Sequence, residues 1–178
     1  MARPRPLSID PLAEAKRQWL AHGWADAADG MAVVTSVMRA QQLLLARVDA
    51  TLKPFGVTFA RYEVLRLLAF SRSGTLPLSS VVSRLQVHAT SVTSTAERLV
   101  RDGLVLREPH PHDGRAALLT LTETGRDLVE RATLALNTDV FRSPGIDSED
   151  ANALVGIVAR LRKNAGDFTD PRPVPDPL

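Results

Sequence analysis

The feature that most restricts the fold of this chain is a single β-hairpin pattern in a sequence that otherwise has helical periodicity. Two aliphatic segments, 104–110 and 116–122, flank the turn-forming pentapeptide PHDGR. Directly before them lie two short amphipathic segments, 77–85 and 89–103. A hairpin that follows a helix-turn-helix is a wing. The pattern therefore predicts a mainly α fold, a winged helix-turn-helix with a small β-hairpin wing.

Helix-initiating residues divide the remainder of the chain into five further helices. A side chain that can accept a hydrogen bond from the first helical turn precedes four of them, and these candidate caps are Asp10, Thr58, Thr122 and either Asp147 or Ser148. The fifth, from about residue 29 to 52, is the longest and ends before Pro54 and Gly56. Gly103 is expected beyond the second helix of the helix-turn-helix, in the left-handed conformation, with Leu104 supplying the accompanying hydrophobic contact.

The long helix and the last helix each carry an apolar face that predicts burial. In the long helix its members are Val34, Val37, Met38, Leu44, Leu45, Val48 and Leu52. In the last helix they are Ala151, Leu154, Val155, Val158 and Leu161. Such faces are too apolar for solvated arms of a monomer. We expect a homodimer with N- and C-terminal dimerisation helices, because a two-fold dimer places two winged helices on successive turns of duplex DNA, about 34 Å apart.

The composition excludes several classes of function. The chain has no cysteine, so a disulfide framework, a thiol nucleophile and a Cys-ligated zinc site are unavailable. It has no phosphate-binding loop, no HExxH and no Gly-x-Ser-x-Gly motif, so neither an enzyme nor a cofactor is expected. The longest apolar runs fall far short of the roughly 20 residues that cross a bilayer, and the first residues lack the apolar core of a signal peptide. We expect a cytoplasmic protein with no membrane partner.

The second helix of the helix-turn-helix carries a polar face suited to duplex DNA. Its apolar positions are Val92, Ala96, Leu99 and Val100. On the opposite face lie Thr90, Ser91, Ser94 and Arg98, which can contact phosphates and base edges. An aromatic content of 4% argues against a stacking platform for single-stranded nucleic acid. The alternative is that these hydroxyls are only capping and surface residues.

Two charged residues at the tip of the wing predict a second DNA contact. Arg115 can enter the narrow, electronegative minor groove, and Asp113 can hold its guanidinium by a charge-assisted hydrogen bond. In a hairpin without a preceding helix-turn-helix, Asp113 would be only a turn residue and Arg115 a solvated charge. His110 and His112 lack a third ligand nearby, so no metal is expected. They are interpreted as solvated residues whose protonation near about pH 6 adds positive charge toward phosphate.

The order of helices and two motifs resemble the MarR family of bacterial transcription regulators over roughly residues 29–165. The segment DGRAALLTLTETG is similar to the family's wing signature, here Asp113, Arg115, Leu121, Thr122 and Gly125. The segment LQVHATSVTSTAERLVRDGLV is similar to its recognition helix. The resemblance implies a ligand-responsive regulator, a repressor, that binds a pseudo-palindromic duplex operator as a homodimer. The alternative function is a winged-helix protein-interaction or architectural DNA-binding module without an effector.

The chain is also similar to the subgroup with an extra N-terminal helix, whose urate-responsive members use a Trp in that helix, an early acidic residue in the third helix and an Arg in the recognition helix. Trp19 and Glu63 match the first two positions, whereas Thr95 stands at the third. The charged partner for urate is therefore missing. What the resemblance implies is an effector of another kind, a small organic anion or aromatic metabolite held between the two lobes, near Trp19, Arg39, Arg61, Tyr62 and Glu63. Trp19 alternatively packs the added helix.

These expectations divide the chain by function. Residues 1–9 form a disordered basic arm, 10–57 and 123–168 the helical dimerisation region, 58–122 the winged helix-turn-helix DNA-binding domain, and 169–178 a disordered, proline-rich tail.

Overall fold

The computed structural model of the protein describes residues 7–85, 89–111 and 113–169, and for residues 89, 90 and 113–115 it describes the backbone alone. The helices are α1 (Pro11–Ala21), α2 (Ala25–Leu52), α3 (Phe59–Phe70), α4 (Leu78–Leu85), α5 (Ala89–Arg101), α6 (Glu123–Leu136) and α7 (Ser148–Asn164). The strands are β1 (Thr75–Pro77), β2 (Val105–His110) and β3 (Asp113–Leu121). A 3-10 turn, Lys53–Phe55, follows α2, and a π-helical turn, Asn137–Phe141, extends α6. The expectation of a mainly α winged helix-turn-helix is confirmed.

The side-chain caps anticipated from the sequence are confirmed at four helices. Each cap oxygen accepts a hydrogen bond from an amide in the first turn. The pairs are Asp10 with Leu12 at 3.0 Å, Thr58 with Arg61 at 3.4 Å, Thr122 with Gly125 at 3.0 Å and Asp147 with Asp150 at 2.8 Å. The helix boundaries in this chain are therefore set largely by local hydrogen bonding.

The chain divides into two compact units, one ending at Arg47 and the other beginning at Val48. In the second unit, α3 packs against α5, α6 and β3. Its core is aliphatic, and the largest fully buried side chains include Leu52, Leu65, Leu68, Leu99, Leu119 and Leu136. The helix-turn-helix and the wing therefore share one hydrophobic core.

The sheet has three strands, in the order β1-β3-β2, and both pairings are antiparallel. The β2–β3 pair is the hairpin that the sequence predicts. The third strand, β1, was not predicted, because residues 72–77 look only like the end of a helix. It pairs Thr75 with Thr120, and their hydroxyl oxygens lie 3.0 Å apart.

The apolar faces of α2 and α7 are largely exposed within a single chain. In α2, only Val48 and Leu52 of the expected residues are buried. In α7 no residue is buried, and Val155 and Leu161 are 69% and 58% exposed. One chain therefore does not test the burial expected for these faces, because that burial depends on a partner protomer. Periodicity shows that a face is apolar, but not which molecule covers it.

Two expected segments fall largely outside the described residues. The proposed basic arm covers residues 1–9, of which Leu7, Ser8 and Ile9 are described and exposed. The proposed tail covers 169–178, of which only Thr169 is described. No helix in the described part of the chain is long and apolar enough to span a membrane.

Candidate nucleic-acid interface

Helix α5 is anchored by one apolar face. Val92, Ala96 and Leu99 are buried in the core, as their spacing predicts, whereas Val100, expected beside them, is exposed. Gly103 ends the helix with φ of 70°, and Leu104 donates its amide proton to the Leu99 carbonyl at 3.0 Å. This is a Schellman motif, the expected termination.

The opposite face of α5 is polar and exposed. Ser91, Ser94 and Arg98 all lie on it, as the sequence predicts, whereas the Thr90 side chain lies outside the described part. Arg101 was missed: it is exposed and follows Arg98 by three residues, so it continues the same face. Neither guanidinium pairs with a carboxylate among the described residues. Steps of three, four and three residues from Ser91 lead through Ser94 and Arg98 to Arg101, so helical spacing would have identified it.

The wing is irregular next to its tip. Pro109 pairs with Ala117, but the next residue, His110, pairs with Asp113. An advance of one residue along β2 therefore corresponds to four residues along β3. Extra residues in one strand bend it and redirect its side chains. The irregularity surrounds Arg115, whose side chain, like that of Asp113, lies outside the described part. His112 also lies outside it. The described residues contain no cluster of three or more potential metal ligands.

The base of the wing is tied to the end of α5. The Thr122 hydroxyl lies 2.9 Å from the Gly103 carbonyl oxygen and 3.0 Å from that of Leu104. Gly125 approaches the same Leu104 carbonyl so closely that a β-carbon there would lie 2.1 Å from its oxygen. The Thr and Gly of the resemblance therefore have a structural role: they let the N-terminus of α6 pack on the helix-to-strand junction.

Comparison with known proteins decides the family. The MarR family pattern matches residues 55–116. The structure of Sco5413, a MarR family transcriptional regulator from Streptomyces coelicolor, is 50% identical, with a TM-score of 0.71 over 80% of this chain and 99% of that chain. The chain belongs to the MarR family.

Further members support this assignment. The Escherichia coli transcriptional regulator PrsX is 30% identical over 68% of this chain and 73% of its own length. BpsR from Bordetella bronchiseptica, whose DNA binding is regulated by 6-hydroxynicotinic acid, is 27% identical, with a TM-score of 0.65 over 72% of this chain and 91% of that chain. With two Bacillus subtilis regulators the match spans 54% and 66% of the relative. PrsX and the two Bacillus subtilis proteins are named as HTH-type transcriptional regulators, in agreement with the expectation that this chain is a regulator.

Two of the residues expected at a MarR effector site are engaged elsewhere. The Arg61 guanidinium forms an ion pair with Asp102 and donates to the Gly56 carbonyl at 3.1 Å. Tyr62 is buried, and its hydroxyl oxygen lies 3.1 Å from that of Thr133. Both side chains hold helices of the second unit together. Their role in effector binding stays a prediction.

Glu63 differs from these neighbours, because no described residue pairs with its carboxylate. It borders a cavity of about 50 Å³ between α3 and the helix-turn-helix, lined also by Ala60, Val64, Leu85, Ser91, Val92 and Thr95. Burial raises the pKa of the Glu63 carboxyl above its usual range. The cavity thus combines an uncompensated acid with two hydroxyl side chains of α5.

The remaining effector candidates lie in the first unit. Trp19 packs edge-on against Trp24, with ring centroids 5.4 Å apart, at the turn between α1 and α2. Arg39 is exposed and donates to Gln42 at 3.2 Å. The helix predicted at residues 10–21 is present as α1, and Trp19 contacts Trp24 in the turn that follows it. Joint participation of Trp19, Arg39 and Glu63 in one site stays a prediction.

Proposed function

We propose that this protein is a transcription regulator, a repressor, that binds duplex DNA as a homodimer. The observation that carries the proposal is the exposed face of α5, where hydroxyls and unpaired guanidinium groups lie opposite a buried aliphatic face. A helix anchored in this way suits the major groove, in which Ser and Arg side chains contact phosphates and base edges. The wing then reaches the adjacent minor groove through Arg115, with Asp113 orienting it.

The same face argues against a protein-interaction module. Protein interfaces have apolar, charge-depleted centres, whereas Ser91, Ser94, Arg98 and Arg101 are polar or charged. Glu97 is the one acid among the exposed residues described between 91 and 101. A carboxylate there repels phosphate but can accept from a cytosine amino group. The surface therefore favours DNA over an apolar protein partner.

The homodimer is supported by the exposed aliphatic side chains of α7. Leu154, Val155, Ile157 and Leu161 leave a continuous apolar strip uncovered along one helix. An isologous interface would bury the strip of one protomer against that of the other. It would also place two recognition helices on a pseudo-palindromic operator.

A salt titration tests DNA binding directly. Affinity for a random duplex and for a duplex selected in vitro is measured by fluorescence anisotropy between 50 and 200 mM salt, values chosen because a phosphate-based interface loses about 10³–10⁵ in affinity over that range. We expect this steep loss, with tighter binding of the selected duplex. Arg101→Ala should reduce the slope of log K against log salt by about one. A slope near zero excludes the proposal and favours the protein-interaction alternative.

We also propose that an effector enters at the cavity beside Glu63. A heteroaromatic acid with an N–H or O–H donor suits this site if the donor faces Glu63 and the ligand's own carboxylate lies away from Glu63, at the Ser91 and Thr95 hydroxyls. Such a molecule would lie between α3 and α5, and DNA release requires that it bind better to an arrangement in which α5 is displaced from α3. The response of BpsR to 6-hydroxynicotinic acid supports this class of ligand.

The effector proposal is tested by a thermal-shift screen of aromatic acids and phenols, followed by DNA release with each hit. We expect Glu63→Ala to abolish the response, and Trp19→Ala and Arg39→Ala to weaken it if the first unit also contributes. Hits that release DNA equally well from all three variants place the effector elsewhere.

A further inference from the structure

We propose that Arg61 is a positioning residue for DNA recognition: its ion pair with Asp102 fixes the C-terminal end of the recognition helix α5. The inference rests on the proposed DNA-binding function. It assigns to Arg61 a role that requires no contact with DNA or with an effector.

The contacts of Arg61 join three segments. One nitrogen of its guanidinium pairs with Asp102, just beyond the last residue of α5, and another donates to the Gly56 carbonyl at 3.1 Å, before α3. Its backbone amide donates to the cap Thr58. Since Asp102 also donates its amide proton to the Arg98 carbonyl at 3.0 Å, it remains part of the last turn of α5. The ion pair therefore connects the start of α3 to the end of α5.

Neither the Asp102 carboxylate nor the Arg61 guanidinium is favourable in its position without the other. A carboxylate at a helix C-terminus opposes the helix dipole, so Asp102 does not favour α5 by itself. The Arg61 side chain is only 14% exposed, and its Nε is buried without a hydrogen-bond partner among the described residues. Burial of a guanidinium with one donor unsatisfied destabilises the protein. The contribution of the ion pair is therefore to fix the orientation of the last turn of α5, immediately before Gly103 and the wing.

Helix α3 also supplies a matched control. Arg66 is likewise 14% exposed, and it pairs with Glu130 at 2.7 Å. Its partner lies on α6, and none of its described contacts reaches α5. Arg61→Gln and Arg66→Gln therefore remove the same charge from the same helix, but only the first frees the recognition helix.

The test is a double-mutant cycle on the full chain with Arg61→Gln and Asp102→Asn, beside Arg66→Gln. Affinity for the selected duplex, its salt dependence and the melting temperature are measured for each variant. We expect either single change to weaken DNA binding about tenfold, and the double variant to bind no worse than either, because loss of one partner already removes the contact. The salt slope should not change, since a lost phosphate contact would lower it by about 0.9.

Asp102→Asn gives the sharpest result. Removal of a negative charge near DNA strengthens binding if charge alone matters, whereas loss of a positioning contact weakens it. Stronger DNA binding by Asp102→Asn overturns the proposal. The proposal is also overturned if Arg61→Gln reduces the DNA affinity by the same factor in the wild-type protein and in the Asp102→Asn variant. A fall in melting temperature with unchanged affinity of the folded protein shows a purely structural pair and also overturns it.

Hydrogen exchange separates this inference from the proposed function. In the free protein, Arg61→Gln should speed exchange of the amides of residues 102–104, and Arg66→Gln should not. Unchanged exchange there contradicts the positioning role even if DNA binding is confirmed. If the wild-type protein binds no duplex, the proposed DNA-binding function is overturned, and with it the role of Arg61 in recognition. Faster exchange in Arg61→Gln would then still show that the ion pair anchors α5.

Discussion

The carbonyl oxygen of Leu104 lies 2.1 Å from the position that a β-carbon on Gly125 would occupy. No side chain rotation can relieve such a contact, because the neighbouring atom belongs to the backbone. Gly125→Ala should therefore destabilise the protein by at least about 2 kcal/mol, through displacement of α6 from the helix-to-strand junction. Denaturant unfolding of wild type and variant measures the difference.

Gly30→Ala in α2 is the control for this substitution. No described atom lies within 4 Å of a β-carbon at Gly30, which is helical. Alanine should stabilise the helix there by about 0.5–1 kcal/mol. Similar effects at both glycines would show that helix propensity, and not the close approach, determines the outcome.

The close approach at Gly125 could not be predicted from the sequence, although the helix that contains it could. The Thr122 side chain caps the N-terminus of α6 through a hydrogen bond to an amide three residues later. Local capping of the same kind begins three other helices, after Asp10, Thr58 and Asp147. Local chemistry decides these boundaries. The Gly125 contact depends on Leu104, which lies far away in sequence and adjacent only in the folded chain.

The same limit explains the other differences between expectation and structure. The strand β1 has three residues, including Pro77, and its identity as a strand depends on β3, which follows the entire helix-turn-helix. The Arg61–Asp102 pair joins residues 41 positions apart. The face of α7 shows its apolar periodicity in the sequence, yet the described residues of the single chain leave it exposed. Arg101 differs, because simple helical spacing would have found it.

Glu63 should give a pH-dependent stability. Burial raises the pKa of its carboxyl above the ordinary 4.5, so the folded state binds the proton more tightly than the unfolded state. Stability from this group is complete below pH 4.5 and is lost as the pH rises through the folded pKa. Glu63→Gln should therefore raise the melting temperature at pH 7 to 8, and the gain should disappear on acidification to about pH 4.

Glu130→Gln is the counterpart with opposite sign. The hydrogen bond from Arg66 lowers the pKa of the Glu130 carboxyl, so its contribution is present above pH 4.5 and is lost as the pH falls through the lower folded pKa. That variant should lower the melting temperature at neutral pH. A lower melting temperature for Glu63→Gln at pH 7 would contradict the assignment of an uncompensated buried acid.

Arg115→Ala should weaken binding to the selected duplex by about 1–3 kcal/mol while the protein stays folded and dimeric. The expected loss reflects removal of a cation from the minor groove, where the electronegative potential is focused. Arg107→Ala is the matched control, since Arg107 is exposed in the middle of β2. Anisotropy titrations of the two variants should differ clearly, and equal losses would remove the special role of the wing tip.

Leu154→Asp together with Val158→Asp should dissociate the homodimer. Each change would bury an unpaired carboxylate at the interface, and a penalty of about 3 kcal/mol already raises the dissociation constant roughly a hundredfold. Light scattering measures the molar mass against concentration. Asn152→Asp adds a charge at an exposed polar position of α7 and should stay dimeric. A double variant that remains a folded dimer would place this strip outside the interface.

The pairing of Thr75 with Thr120 has a consequence for synthesis of the protein. The two hydroxyls close a stretch of chain, 45 positions long, that contains both helices of the helix-turn-helix. When the nascent chain has been synthesised as far as Arg101, the whole of α5 is present. The strand β3, which pairs with β1 and packs against α4, has not yet been made. The packing of α4 against β3 therefore forms only after β3 has been synthesised. A product truncated within the wing contains α5 but lacks β3, and we expect it to lack the packing that holds the proposed DNA-binding face in place.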